Sequence, residues 1–318
     1  REVTLEYDLT RMVARLDDPD PPRVGILSSL PGMTAPGGEG GYTLLADITK
    51  SFDVVPISQE FQSLPEDLDV LFVAHPPELS ARQEWLIDQY ILRHGRAVIM
   101  VDPAAKTAMG GGMFGTSRDH PRSDLGALGK AWGVTLSEDA VADAANALPV
   151  PVDTGNGRME ELAHPLFIGA PAAAMNANDL VTADLTRNVN FGAPGALLAG
   201  TLPDGEVFSP LISTGPSPSY MDAQVAVRDM TPGDVLKSYK TSPQPLVLAA
   251  RLSGSLTTAF PAGAPALDEP ADPGLAELAR AEAANALPHI SRSETNAEIV
   301  LIADVDALAD DFYIIPGR

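Results

Sequence analysis

Helical spacing of apolar residues gives way to a continuous apolar run within the stretch Leu86–Pro103. The first half carries apolar residues at the spacing of one helix face: Leu86, Ile87, Tyr90 and Ile91. Gly95 then suits the left-handed C-cap that ends many helices. The run Ala97–Val101 is apolar throughout, which is typical of a strand covered on both faces. Asp102 and Pro103 end it, because proline cannot donate to a strand ladder.

The same alternation recurs along the first third of the chain. Apolar strands are predicted at Arg23–Ser28 and Asp69–Ala74 and a short one at Asp53–Ile57, with a helix at Tyr42–Ser51 between the first two. A further buried strand is predicted at Glu298–Ala303. Strands that alternate with helices predict an α/β fold with a doubly wound, mostly parallel sheet. We therefore expect the apolar stretches to lie side by side and point the same way.

The rest of the chain predicts a less regular organisation. Residues 1–22 read as a lead-in amphipathic helix and linker, and residues 23–318 as one α/β domain. Within it, a β-rich insertion is expected at about 140–215, and a Pro/Ala/Gly-rich mobile loop at about 261–274. Leu246–Leu252 is expected to form a strand, with Leu256–Phe260 as its hairpin partner.

Composition limits the class of partner. The net charge of -22 argues against nucleic acid or an anionic membrane face, since both need Lys/Arg patches. No cysteine is present, which removes thiol catalysis, thiolate metal sites and disulfides. No apolar stretch approaches the ~20 residues of a membrane span. The first residue is Arg1 rather than Met, so we expect a processed or excised chain.

Five phrases, in order, resemble one protein family. They are LEYDLTR (5–11), VGILSSLP (24–31), the stretch 86–103, LAARLSG (248–254) and IVLIADVDALADDF (299–312). Together they resemble the auxiliary, extracytoplasmic component of ABC transport systems of the gliding-motility (GldG-like) type. Each phrase alone indicates only an α/β fold, and the ordered set is more specific.

The resemblance implies a bacterial domain on the periplasmic side of the inner membrane. Such proteins are anchored by membrane helices, which here would lie outside this chain, and accompany an ABC permease and ATPase. The implied fold is similar to flavodoxin-like and class I glutamine amidotransferase-like domains, without their catalytic set. No active residues transfer with the resemblance, so neither an enzyme nor a cofactor is expected.

Polar residues at the predicted strand ends are the candidate site. Ser28, Ser29, His75 and Asp102 follow three apolar strands, and ligands of open α/β sheets bind at such ends. A small ligand or glycan pocket is therefore an alternative reading. A serine hydrolase triad is less favoured, because Ser28-Ser29 lacks the G-x-S-x-G elbow. The residues also suit turns and caps, as Asp102 does before a proline.

Two other motifs are weak. Gly110–Gly115 fits G-x-G-x-x-G, but no strand directly precedes it and no helix opens inside it, as a dinucleotide site needs. Glu161 and His164 form a single E-x-x-H, whereas di-iron bundles need two copies. No metal site is predicted. The favoured function is a non-enzymatic docking subunit of a transport system.

Overall fold

The computed structural model describes residues 20–33, 42–109, 122–153, 158–228, 230–269, 271–285 and 287–313. The predicted lead-in helix and the Gly110–Gly115 motif lie outside the described residues. The strands are β1 (Arg23–Ser28), β2 (Asp53–Pro56), β3 (Val70–Ala74), β4 (Arg96–Met100), β5 (Val134–Leu136), β6 (Ala140–Ala142), β7 (Ala147–Asp153), β8 (Met159–Ala170), β9 (Val189–Gly192), β10 (Leu197–Ala199), β11 (Glu206–Ser213), β12 (Ser219–Met221), β13 (Val247–Gly254) and β14 (Ala297–Ile302). The helices are α1 (Thr43–Ile48), α2 (Ala81–His94), α3 (Gly126–Ala131), α4 (Ala223–Ala226), α5 (Pro232–Ser238), α6 (Pro273–Asn285) and α7 (Asp310–Tyr313).

The main sheet has seven strands in the order β11-β13-β14-β4-β3-β1-β2. Strands β2, β1, β3, β4 and β14 are parallel neighbours. Strand β13 is antiparallel to both β14 and β11. The apolar stretches ending at Ser28, Ala74, Val101 and Ala303 are therefore adjacent and point the same way, and that prediction is confirmed. The fold is mixed α/β with a mostly parallel sheet.

Both faces of this sheet are covered, which explains the continuous apolar runs. Successive strand residues point to opposite faces. One face packs against α2 and α3 through buried residues that include Leu71, Val73, Ile99, Leu301, Ile87 and Ile91. The other face packs against α1 and the 3₁₀ turn Asp306–Leu308 through residues that include Ile26, Phe72, Met100, Leu45 and Leu308.

Helix α2 has both of its termini specified by sequence. Ser80 caps the first turn by accepting from the Gln83 N–H at 3.1 Å, while the Gln83 side chain accepts from the Ser80 N–H at 3.1 Å. Gly95 ends the helix at φ 73°, and its N–H donates to the Ile91 carbonyl at 2.8 Å. The predicted helix and glycine stop are confirmed.

The predicted hairpin partner of β13 is wrong. Strand β13 pairs with β11 and β14, and the segment Leu256–Phe260 makes one isolated bridge, between Thr257 and Arg292. The reason is a buried carboxylate: Asp88 of α2 accepts from the Thr258 hydroxyl at 2.6 Å and the Ala259 N–H at 2.9 Å. These bonds fasten the segment to the helix.

The middle of the chain is built from small sheets. Strands β7, β8 and β9 form one three-stranded antiparallel sheet. Two two-stranded pairs, β5 with β10 and β6 with β12, accompany it. Strand β11, which falls in the stretch read as an insertion, is the edge strand of the main sheet.

Gly95→Ala is expected to lower the free energy of unfolding by about 2–3 kcal/mol. An added Cβ would lie 2.9 Å from Thr295 Oγ1 and 3.0 Å from the Asn296 carbonyl oxygen, at a left-handed φ of 73°. The matched control is Gly263→Ala, at φ 93° with no atom within 4 Å of the added Cβ. It reports the backbone cost alone, about 1–2 kcal/mol. Urea unfolding measures both, and equal losses would contradict the packing constraint at Gly95.

Candidate functional site

A cleft of about 740 Å³ opens at the carboxyl ends of β1 and β3. Strand β2 lies on one side of β1 and β3 on the other, so the chain changes direction across the sheet there. Open α/β sheets bind ligands at this kind of switch point. Ser29 and His75 line the cleft, whereas Ser28 and Asp102 are not among its described lining residues.

The two adjacent serines hold the strand ends together. Ser28 is buried, and its hydroxyl accepts from the Leu30 N–H at 3.1 Å. The N–H and hydroxyl of Ser29 both donate to the His75 carbonyl oxygen, at 3.1 Å and 2.6 Å. Both hydroxyls are thus engaged with backbone groups.

The imidazole of His75 pairs with a different serine. Its Nδ1 lies 2.9 Å from the hydroxyl of Ser123, which lines the same cleft. That hydroxyl also accepts from the Asp102 N–H at 3.1 Å, so Ser123 joins the imidazole of His75 to the backbone at the end of β4. His75 holds φ at 48°, which is uncommon outside glycine.

Carboxylates outnumber cations around the cleft. Glu78, Glu84 and Asp124 line it together with Arg122. Burial raises the pKa of Glu84, and a hydrogen bond from the Ala127 N–H at 3.0 Å opposes that rise. This charge balance favours cationic or neutral ligands over phosphates and other anions.

Asp102 belongs to a separate buried cluster at the ends of β4 and β14. Asp102, Asp304 and Asp306 are at most 1% exposed, with carboxylate oxygens within 4.8 Å of one another. Each carboxylate accepts two backbone N–H groups. Asp102 accepts from Ala104 and Val305, and Asp304 accepts from Gly192 and Asp306. Asp306 accepts from Lys106 and Thr107. The cluster joins three chain segments, residues 102–107, Gly192 and residues 304–306.

Proximity of like charges makes this cluster hold protons. Burial, followed by the negative charge of Asp306, raises the pKa of Asp102 well above its usual range. Burial and the charge of Asp102 do the same to the pKa of Asp304. The side chains of Asp102 and Asp304 hydrogen-bond each other. Burial together with the repulsion between two facing carboxylates thus favours the form in which the pair holds one proton.

The E-x-x-H pair does not converge on one site. His164 is buried and its Nε2 lies 2.9 Å from the Met230 carbonyl oxygen. Glu161 is exposed, on the solvated half of β8. Sequence reasoning missed Ser123, Asp304 and Asp306. The D-x-D spacing after the last strand marks the two aspartates, whereas no motif marks Ser123.

Comparison with known proteins identifies a family. The family model described as an ABC-type uncharacterized transport system, for auxiliary components, matches residues 21–317. No curated protein and no solved structure matches the chain significantly. Among the described residues, no helix has the length and apolarity to cross a membrane.

Asp304→Asn is expected to flatten the pH dependence of stability. Folding raises the pKa of Asp102 and Asp304, so it favours their protonated forms. That contribution is complete below the ordinary aspartate pKa, about 3.9, and is lost as pH rises through the raised values. Urea unfolding between about pH 5 and about pH 9 measures the slope.

The control is Asp143→Asn, at another buried aspartate that accepts backbone N–H groups from Ala145 and Gly215. In both variants the free energy of unfolding is expected to fall by about 1–3 kcal/mol, since a side-chain amide cannot replace both carboxylate oxygens as acceptors. Asp304→Asn should in addition change the slope. Identical slopes in Asp304→Asn and the unsubstituted protein would contradict proton sharing.

Proposed function

Because the chain belongs to the family of auxiliary components of uncharacterized ABC-type transport systems, we propose that it acts as a non-enzymatic docking subunit. In this role it couples motion of the permease and ATPase to an external partner or substrate. The family match over residues 21–317 is the observation that carries the proposal. The work is done by surfaces that bind rather than by a reacting side chain.

The hydrogen bonding at the cleft supports a non-enzymatic role. Ser28 and Ser29 are engaged with backbone groups, and Ser123 contacts His75 through Nδ1. In a hydrolase triad, Nδ1 instead faces the orienting carboxylate and Nε2 faces the serine. The carboxyl of Asp102 is occupied by the Ala104 and Val305 N–H groups. These bonds suit a structural role for each residue.

We place the domain on the periplasmic side of the inner membrane, anchored by segments outside this chain. The GldG-like resemblance supports this location. The strand order β2-β1-β3-β4-β14 supports likeness to flavodoxin-like and amidotransferase-like domains, which order five parallel strands as 2-1-3-4-5.

The docking role predicts a stable complex with the permease. The full-length protein, expressed with the permease and ATPase of its own transport system, is expected to co-purify with them in mild detergent. Retained ATPase activity shows that the transporter is intact. Failure to co-purify with an intact transporter would contradict the docking role.

A ligand-binding module is the second candidate, favoured by the 740 Å³ cleft at the switch point. Thermal unfolding with neutral glycans, cationic peptides and phosphorylated compounds tests it. A ligand present at 100 times its dissociation constant raises the free energy of unfolding by about 2.7 kcal/mol. We expect cationic or neutral compounds to raise Tm, and phosphorylated ones to have no effect.

The cleft variant Ser123→Ala should reduce that rise in Tm, because it removes a lining hydroxyl that lies 2.9 Å from the His75 Nδ1. The control Ser242→Ala removes an exposed hydroxyl that bonds the Gln244 carbonyl oxygen. It should leave the rise unchanged. If no compound raises Tm, or if Ser123→Ala responds like the control, the cleft is not the binding site.

A further inference from the structure

One half of the β7–β8 hairpin stands away from the rest of the molecule. We name the paired segments 148–153 and 159–163 the arm. Every residue from Met159 to Ala163 is exposed, whereas β8 is mostly buried from His164 onward. A two-stranded hairpin alone is marginally stable in water, so an arm of this kind gains stability from a partner.

The two long edges of the arm differ in their hydrogen-bonding capacity. Pro149 pairs with Ala163, and Pro151 with Glu161. Proline has no N–H to donate to β8, so these are non-hydrogen-bonded pairs, whose backbone groups point outward from the ladder. The β7 edge therefore lacks outward donors at both prolines, an arrangement that blocks strand addition.

The opposite edge is open. By the same alternation, the N–H and C=O groups of Glu161 and Ala163 point away from β7, into the exposed side of β8. Among the described residues, strand β9 pairs with β8 only at Phe167–Ala170. Within that part of the chain no strand pairs with the outer edge of β8 at 159–163, so its backbone donors and acceptors are open to an added strand.

The arm also has an apolar face beside this edge. Val150 lies directly opposite Leu162, and Val152 lies opposite Glu160 on the same face. Leu162 is 36% exposed and the two valines are half-buried. An added strand would cover this face while completing the ladder, which is the β-augmentation mode of recognition.

The negative charge of the open β8 edge limits which strand can pair with it. Glu160 and Glu161 are consecutive along the open edge, and their side chains point to opposite faces of the arm. Antiparallel pairing of two copies about its centre would set the two Glu161 side chains opposite each other, and like charges opposite one another are destabilising. The net charge of -22 on each chain adds to that repulsion. A second copy is thus disfavoured.

We infer that the β8 edge at Met159–Ala163 binds an extended, apolar segment carrying Lys or Arg, supplied by the permease of the transport system. This inference rests on the docking function proposed above and names the surface that performs it. The segment adds as a strand to β8, with its basic side chains against Glu160 and Glu161.

Glu161→Pro tests the edge by removing one outward N–H, as Pro151 already does on the opposite strand. The control Glu161→Thr removes the same charge and keeps the N–H. In co-purification with the full transporter, Glu161→Pro is expected to weaken permease capture by about tenfold, the effect of leaving one partner carbonyl unpaired. Glu161→Thr should weaken it by less than about threefold.

Hydrogen exchange gives a second readout on the unsubstituted protein. The amides of Glu161 and Ala163 should exchange more slowly when the permease is bound, whereas exposed amides of α6 should not change. Thermal unfolding checks that Glu161→Pro is folded. If it is not, Val152→Ser replaces it in the same capture assay, with the same expected loss.

The outcomes separate the two proposals. If the unsubstituted protein captures the permease, and neither the variants nor the amide exchange respond, the arm is not the binding surface and the docking role stands. If the unsubstituted protein captures no permease, the docking role fails and the arm's assignment fails with it. Slowed exchange on self-association, without permease, would overturn the choice of occupant.

Discussion

Parallel pairing of β4 with β3 on one side and β14 on the other sets the position of every polar group at the carboxyl edge of the sheet. Buried strands that end together leave backbone N–H groups in an interior without water, and each needs an acceptor. Side chains supply these acceptors. The Asp102 carboxylate accepts from the Val305 N–H, and the Ser123 hydroxyl accepts from the Asp102 N–H. The polar residues at this edge are therefore first of all the acceptors that let buried strands end.

That requirement explains why three carboxylates accumulate in one buried place despite the acidity of the chain. A carboxylate accepts two backbone donors at once, and Asp102, Asp304 and Asp306 all do so. The pKa values of Asp102 and Asp304 are raised by burial and by the neighbouring carboxylates, and protonation of this pair relieves the mutual repulsion. The three aspartates therefore hold the chain segments together through hydrogen bonds, and two of them have raised pKa values.

The sheet could be predicted from sequence because its signal is local. Continuous apolar runs and a glycine stop at Gly95 each follow from a few adjacent residues. The site depends on distant pairings. Ser123 meets His75 across 48 positions, and Asp102 meets Val305 across 203, so neither leaves a local pattern. The failed hairpin at Leu256–Phe260 has the same cause, because Asp88 acts from 170 positions away.

The cleft and the arm lie in different parts of the chain, yet hydrogen bonds join them. Strand β8 pairs with β9, and the Gly192 N–H that ends β9 donates to Asp304 at 2.7 Å. Asp304 bonds Asp102, whose N–H reaches Ser123 and so His75. The bonds from β9 to His75 are therefore continuous along the carboxyl edge of the sheet, between the proposed docking arm and the cleft.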